Sequence, residues 1–128
     1  MTHTDKMLRD GSLAEKVIVV TGWAGFVGSN LIDLLVKKTN KKIISIDNYS
    51  SGLIKNHIKS KRVKYIRSDT KNISRKLFSY RKKIHSLFHF GEFSRIFQSF
   101  NKFDQCFNAN TIGSQAVFKF CLDNNIKL

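Results

Sequence analysis

The 128-residue chain has no proline and only two cysteines, Cys106 and Cys121. Two cysteines are too few to staple a small secreted scaffold, and the N-terminus lacks the apolar core of a signal peptide, so a cytoplasmic chain with reduced thiols is expected. Long apolar runs are missing too. The longest are broken by Thr21, Gly22, Ser29, Asn30 and Asp33, well short of the ~20 residues a membrane-spanning helix needs, so no bilayer anchor is expected. Carboxylates are scarce: nine Asp plus Glu stand against 23 Lys plus Arg, a formal charge of +14 that attracts polyanions without naming one. With 41% hydrophobic and 12% aromatic residues, the chain is suited to one small folded domain rather than to disorder.

Residues 1–15 are polar and of mixed charge, with a break at Asp10, Gly11 and Ser12, and read as an N-terminal arm. The folded part, 16–128, opens with the β-branched run Lys16–Thr21, the pattern of a parallel strand buried on both faces. From Phe26 the period changes. Val27, Leu31, Leu34 and Leu35 form a helical stripe, with Lys37 and Lys38 placed to complement the negative C-terminal end of the helix. A second strand over Ile43–Ile46 stops at Asp47, followed by turn formers from Asn48 to Gly52. Val63, Tyr65 and Ile66 suggest a third strand ending near Asp69, Ile73 to Arg81 a short helix, and Ser86 to Phe90 a fourth strand. Phe103, Phe107, Ile112, Ala116, Val117 and Phe120 make a last helical stripe that closes at Asp123, Asn124 and Asn125, before an extended Ile126–Leu128. Alternating strands and helices predict an α/β fold, one parallel sheet with helices on both faces.

Gly22, Gly25 and Gly28 lie where the first strand gives way to its helix, spaced G-x-x-G-x-x-G. Glycine there permits a tight turn, close approach of a ligand and tight packing of helix on strand, and the N–H groups of the helix start favour a pyrophosphate. Three glycines serving packing alone are the alternative. Ser29 and Asn30, not Lys followed by Ser or Thr, come directly after the last glycine, so the motif is not a P-loop. Asp47, 19 residues beyond Gly28, stands where a carboxylate can accept hydrogen bonds from both adenosine ribose hydroxyls, a preference for NAD over NADP. Capping of the following turn is its other reading.

These residues, with TGWAGFVGSNL at 21–31, IDNYSSG at 46–52, SD at 68–69, LFHFGEFSR at 87–95 and NTIG at 110–113, resemble the N-terminal half of an extended short-chain dehydrogenase/reductase of the NAD-dependent sugar-nucleotide epimerase/dehydratase group. The resemblance runs from about Lys16 to the end. It implies a Rossmann-type sheet of order 3-2-1-4, NAD as cofactor and a nucleotide-linked sugar as substrate. It further implies that the backbone around Gly22, Gly25, Phe26, Val27 and Gly28 holds the pyrophosphate, that Asp47 takes the adenosine ribose with Asn48 and Ser51 closing its pocket, and that Asp69 takes the adenine amino group. Phe88, Phe90 and Gly91 would run beneath the nicotinamide side. Gly91 keeps the small residue usual after the histidine, whereas Glu92 puts a carboxylate there. Ser94, Arg95 and Ser99 could face substrate, or simply solvent.

No catalytic residue and no metal ligand is assigned. His89 sits inside an apolar strand and reads as a hydrogen-bonded core residue, and the two cysteines as small buried ones. The resembling enzymes move protons with a tyrosine four residues before a lysine, but Tyr49, Tyr65 and Tyr80 are followed at that distance by Leu53, Asp69 and Ile84. A chain truncated before or within a fifth strand, and inactive alone, is therefore expected, leaving an unpaired edge on strand four. The alternatives are a non-catalytic dinucleotide-binding module and a basic nucleic-acid-binding domain. For the last, lysine-rich stretches at 37–42, 59–64 and 75–83 come without helix-turn-helix, zinc-ligand or RNA-recognition motifs, so a solvated basic surface is expected rather than a sequence-specific partner. A homo-oligomer is compatible with all of these readings.

Overall fold

The computed structural model describes residues 16–22, 26–48, 60–90 and 108–128. Four parallel strands, β1 (Val17–Thr21), β2 (Lys42–Asp47), β3 (Val63–Arg67) and β4 (Ile84–His89), pair in the order β3-β2-β1-β4. The 13-residue helix α1 (Phe26–Lys38) links β1 to β2, the single turn α2 (Ile73–Lys76) lies between β3 and β4, and α3 (Ser114–Asp123) follows a π-helical stretch, Asn108–Gly113.

Strand order dictates the layering. The chain leaves β1 for β2 on one side and comes back past β1 to β4 on the other, so crossovers of constant hand must put α1 and the later helices on opposite faces. Ile18, Val20, Ile43 and Val63 pack with Ile32 of α1 on one face, while Val19, Ile44, Ile46 and Leu87 pack with Ile73, Leu77, Val117 and Phe120 on the other. Alternate residues of each central strand therefore serve different cores, which explains the unbroken β-branched runs of β1 and β2.

Three expectations are corrected. The apolar stripe of α1 is rotated: Val27 and Leu34 are 56% and 50% exposed, and it is Ile32, with half-buried Leu31, Leu35 and Val36, that meets the sheet. Position 28, buried one turn before Ile32, is glycine, so a stripe read from large apolar residues alone takes the wrong phase. Second, the single helix expected over 73–81 is broken into a 3₁₀ turn (Thr70–Asn72), α2 and another 3₁₀ turn (Phe78–Tyr80). Only Ile73 and Leu77 are fully buried there, one turn of helix. Third, Ile112 of the last stripe is 39% exposed; Val117, Phe120 and Cys121 carry its burial. The strands shift slightly, β3 ending at Arg67 and β4 spanning Ile84–His89 rather than 86–90.

α3 ends on its asparagines. Asn124 Nδ2 donates to the Phe120 carbonyl at 2.8 Å, Asn125 takes the left-handed conformation (φ 53°), and Ile126 N donates to the Cys121 carbonyl at 2.9 Å. This reversal sends the chain alongside β4. There Lys127 bridges Ser86 in parallel and its carbonyl accepts from Leu87 N at 2.9 Å, so the outer side of β4 carries part of a further pairing.

Candidate functional site at the strand C-termini

All four strands point the same way, so Thr21, Asp47, Arg67 and His89 end together on one edge. The helix after β1 and the helix after β4 lie on opposite faces of the sheet, and ligands of open α/β sheets bind at such a switch point, outside the carboxyl ends of the strands.

Gly22, directly after β1, has φ 73°, a left-handed value that a side chain would penalise. Its N–H donates to the Ile46 carbonyl at 2.9 Å, tying the turn to β2. Gly22 thus shapes the turn and its amide is already engaged. Donors to a bound anion must come from further along, where α1 begins at Phe26 and an α-helix leaves its first N–H groups without intrahelical partners. No acidic residue lies in that first turn to compete for them, and exposed Val27 and buried Gly28 follow.

At the neighbouring strand ends the candidate nucleoside residues are linked. Asn48 Nδ2 donates to Asp69 Oδ1 at 2.6 Å, and Ser68 N donates to the Asp47 carbonyl at 3.1 Å, joining the chain after β2 to the chain after β3. Asp69 stands two residues beyond β3, at the head of the Thr70–Asn72 turn, and is exposed. Arg67, which sequence reasoning missed, is in register opposite Asp47, so its side chain rises from the same face of the sheet. A register is a long-range property that only the pairing of β2 with β3 reveals.

On the β1–β4 side, Thr21 Oγ1 lies 2.6 Å from His89 Nδ1 and His89 Nε2 lies 2.9 Å from Ser114 Oγ. Phe90 N donates to both Thr21 Oγ1 (3.1 Å) and the Thr21 carbonyl (3.0 Å). The His89 ring also meets Phe118 edge-on at 6.2 Å. His89 is therefore a clamp between β1, β4 and α3, hydrogen-bonded as its apolar strand suggested. Its partners Thr21 and Ser114 carried no signal in the sequence, being 68 and 25 residues away. Phe88 and Phe90, flanking it, are 36% and 38% exposed. Gly25, Ser51 and Gly91, the Phe26 side chain, the arm 1–15, and Glu92, Ser94, Arg95, Ser99 and Cys106 lie outside the described residues. Among the described residues no cluster of metal-ligating side chains occurs, and no helix is long and apolar enough to cross a membrane.

Residues 18–128 match the NAD dependent epimerase/dehydratase family. The chain belongs to it. NAD is the cofactor of the epimerase/dehydratase family, the one the sequence motifs implied. The chain is similar to a UDP-N-acetylglucosamine 4-epimerase of Methanobrevibacter ruminantium, solved in complex with UDP-N-acetylmuramic acid, at 29% identity and TM-score 0.74, over 88% of this chain and 36% of that one. It is also similar to epimerase Mth375 of Methanothermobacter thermautotrophicus (24%, TM-score 0.77, covering 97% and 37%) and to the UDP-glucose 4-epimerase of Thermus thermophilus in complex with NAD (22%, TM-score 0.72, covering 86% and 35%). This member of the epimerase/dehydratase family thus spans little more than a third of the length of those enzymes.

Proposed function

We propose that residues 16–128 form the NAD-binding part of a protein that acts on a nucleotide-linked sugar by transient hydride transfer. The observation that carries this reading is the meeting, on one sheet edge, of a left-handed Gly22 leading into α1 with Asp47 and the Asn48–Asp69 pair at the next two strand ends. The residues fit the cofactor. A turn without a Cβ at position 22 leaves room for a diphosphate, and a helix start free of carboxylates attracts it. Asp47 accepts from the ribose hydroxyls and disfavours a 2′-phosphate, with Asn48 beside it and Ser51 completing the pocket. Asp69, oriented by Asn48, accepts from the adenine amino group, and the Phe88–Gly91 segment supports the nicotinamide end. NAD bound there would supply a reversible hydride acceptor.

In the same reading these residues bind and orient but move no proton, because no tyrosine in the 128 residues precedes a lysine by four. A second reading, a non-catalytic dinucleotide module, rests on the same nucleotide site. Titration calorimetry tests the shared core of both. NAD should bind at least about tenfold more tightly than NADP, and Asp47→Ala should remove most of that preference. A folded chain that gives no heat with either nucleotide overturns the site. Incubation with NAD and UDP-N-acetylglucosamine or UDP-glucose should give no epimer, and turnover by the purified chain would overturn the expected inactivity.

A further inference from the structure

The opposite edge of the sheet, where the strands begin, carries its own feature. A groove of about 530 Å³ opens there, lined by Lys42, Lys61, Arg62, Tyr80 and Lys83. The guanidinium of Arg62 is tied down: it donates to the carbonyls of Val36, Thr39 and Lys41, closing the end of α1 and fixing one wall. Exposed Lys42, Lys61 and Lys83 remain as long, mobile cations around it. Lys42 and Lys64, which rise from the same face of the sheet, hold their ammonium groups 5.4 and 5.7 Å from the Tyr80 ring centroid, and Lys64 Nζ donates to the Tyr80 hydroxyl at 3.3 Å.

Two titratable groups register the local charge. The Tyr80 phenol is pulled below its ordinary value by the Lys64 hydrogen bond, against some desolvation, with Lys42 and Lys83 adding to it. His85 on β4 is held down by desolvation and by Lys41, Lys16 and Lys127. Among the described residues no carboxylate lines the groove: Asp47 and Asp69 lie at the other edge, and Asp33 and Asp123 pair with Lys37 and Lys119 of their own helices.

A compact anion needs convergent, fixed donors, whereas here the lysines are flexible and strung along a groove beside an aromatic ring. Phosphates in series with unpaired bases suit that arrangement, because the lysines can pair with phosphates while a half-exposed aromatic ring among them stacks on a base. We propose that this groove binds the sugar–phosphate backbone of single-stranded nucleic acid, with Tyr80 stacking on a base and no preference for sequence. The lack of any base-reading motif agrees with backbone-led binding. The proposal does not depend on the nucleotide site.

Fluorescence anisotropy with labelled 12-mers of rU and dT, in a salt series, tests it on the 128-residue chain. Binding of either strand, falling steeply with salt, supports the groove, and binding of neither overturns it. Lys61→Glu/Lys83→Glu should weaken binding at least about tenfold, whereas Lys71→Glu/Arg75→Glu, an equal charge change at exposed positions elsewhere, should cost no more than about threefold. The milder Lys61→Gln/Lys83→Gln should reduce the salt slope by about 1.4, the contribution of two phosphate contacts on a single strand. An abasic 12-mer should bind about fivefold more weakly, the loss of one stacked base. Equal losses in the two double Glu variants, or equal binding of abasic strand and inorganic polyphosphate of matched charge, would refute the proposal.

Discussion

The two ends of the same four strands differ in how their polar groups are used. At the C-terminal edge, side chains bond to one another across strands: Thr21 with His89, His89 with Ser114, Asn48 with Asp69. At the N-terminal edge the anchoring bonds run from Arg62 to the backbone carbonyls of Val36, Thr39 and Lys41, the side-chain bond from Lys64 to Tyr80 is long at 3.3 Å, and Lys42, Lys61 and Lys83 are exposed. Side-chain networks fix bond directions, so the first edge can hold donors and acceptors in place for a small ligand. Flexible ammonium groups set a potential but no geometry, so the second suits an extended anion. A parallel sheet makes this division available because every strand contributes its start to one edge and its end to the other.

The comparison is sharpest at His89. Replacing it with Ala removes the link between β1, β4 and α3 and leaves the buried Thr21 and Ser114 hydroxyls without their imidazole partner. A loss of about 3 kcal/mol is expected by urea unfolding, with NAD affinity falling as well if the edge is held by this clamp. Stability unchanged to within about 0.5 kcal/mol would show that the network holds nothing. Next is Arg62→Met, which keeps the aliphatic stem but strips three carbonyls of their donor. About 2 kcal/mol of destabilisation is expected with NAD binding unaltered, the mirror image of the His89 result. Equal effects of both variants on NAD would dissolve the distinction between the edges.

Ser45, midway between the edges, gives a smaller effect of opposite sign. Its hydroxyl is fully buried in β2 and has no hydrogen-bond partner among the described residues. Ser45→Ala should therefore stabilise the chain by about 1 kcal/mol, and a loss of that size would mean that the hydroxyl is satisfied in solution.

The strands and the switch in periodicity at Gly22–Gly28 were legible in the sequence because β-branched runs and glycine spacing are local signals. The order 3-2-1-4, the family and its cofactor came from a resemblance carried by those same motifs. What stayed hidden was long-range or negative. The phase of α1 was misread because its buried face includes a glycine rather than a large apolar residue, so Val27 and Leu34 were counted inward. The Thr21–His89–Ser114 clamp and the Asp47–Arg67 register join residues whose separation in sequence gives no hint of contact. The basic groove gathers Lys42, Lys61 and Lys83 from three separate stretches that meet only because their strands start side by side.

His85 offers the finest probe of the basic edge. Its pKa lies below the usual 6.5, from desolvation first and then from Lys41, Lys16 and Lys127, all of which disfavour the imidazolium in the folded chain. The unfolded chain then binds the proton more readily than the folded one, so the contribution is fully present above pH 6.5 and fades as pH falls through the lower folded value. Because the ring is mostly exposed, the effect should be the smallest of the set: a modest decline in the urea midpoint between about pH 7.5 and 5.5, reduced in His85→Gln. Salt separates the causes. Raising ionic strength from about 0.05 to 0.5 M shrinks the screening length to a few ångströms, so the lysine share should vanish while the desolvation share persists. A pH dependence untouched by salt would mean that the lysines of this edge do not act on His85, and the edge would lose its claim to a concentrated positive field.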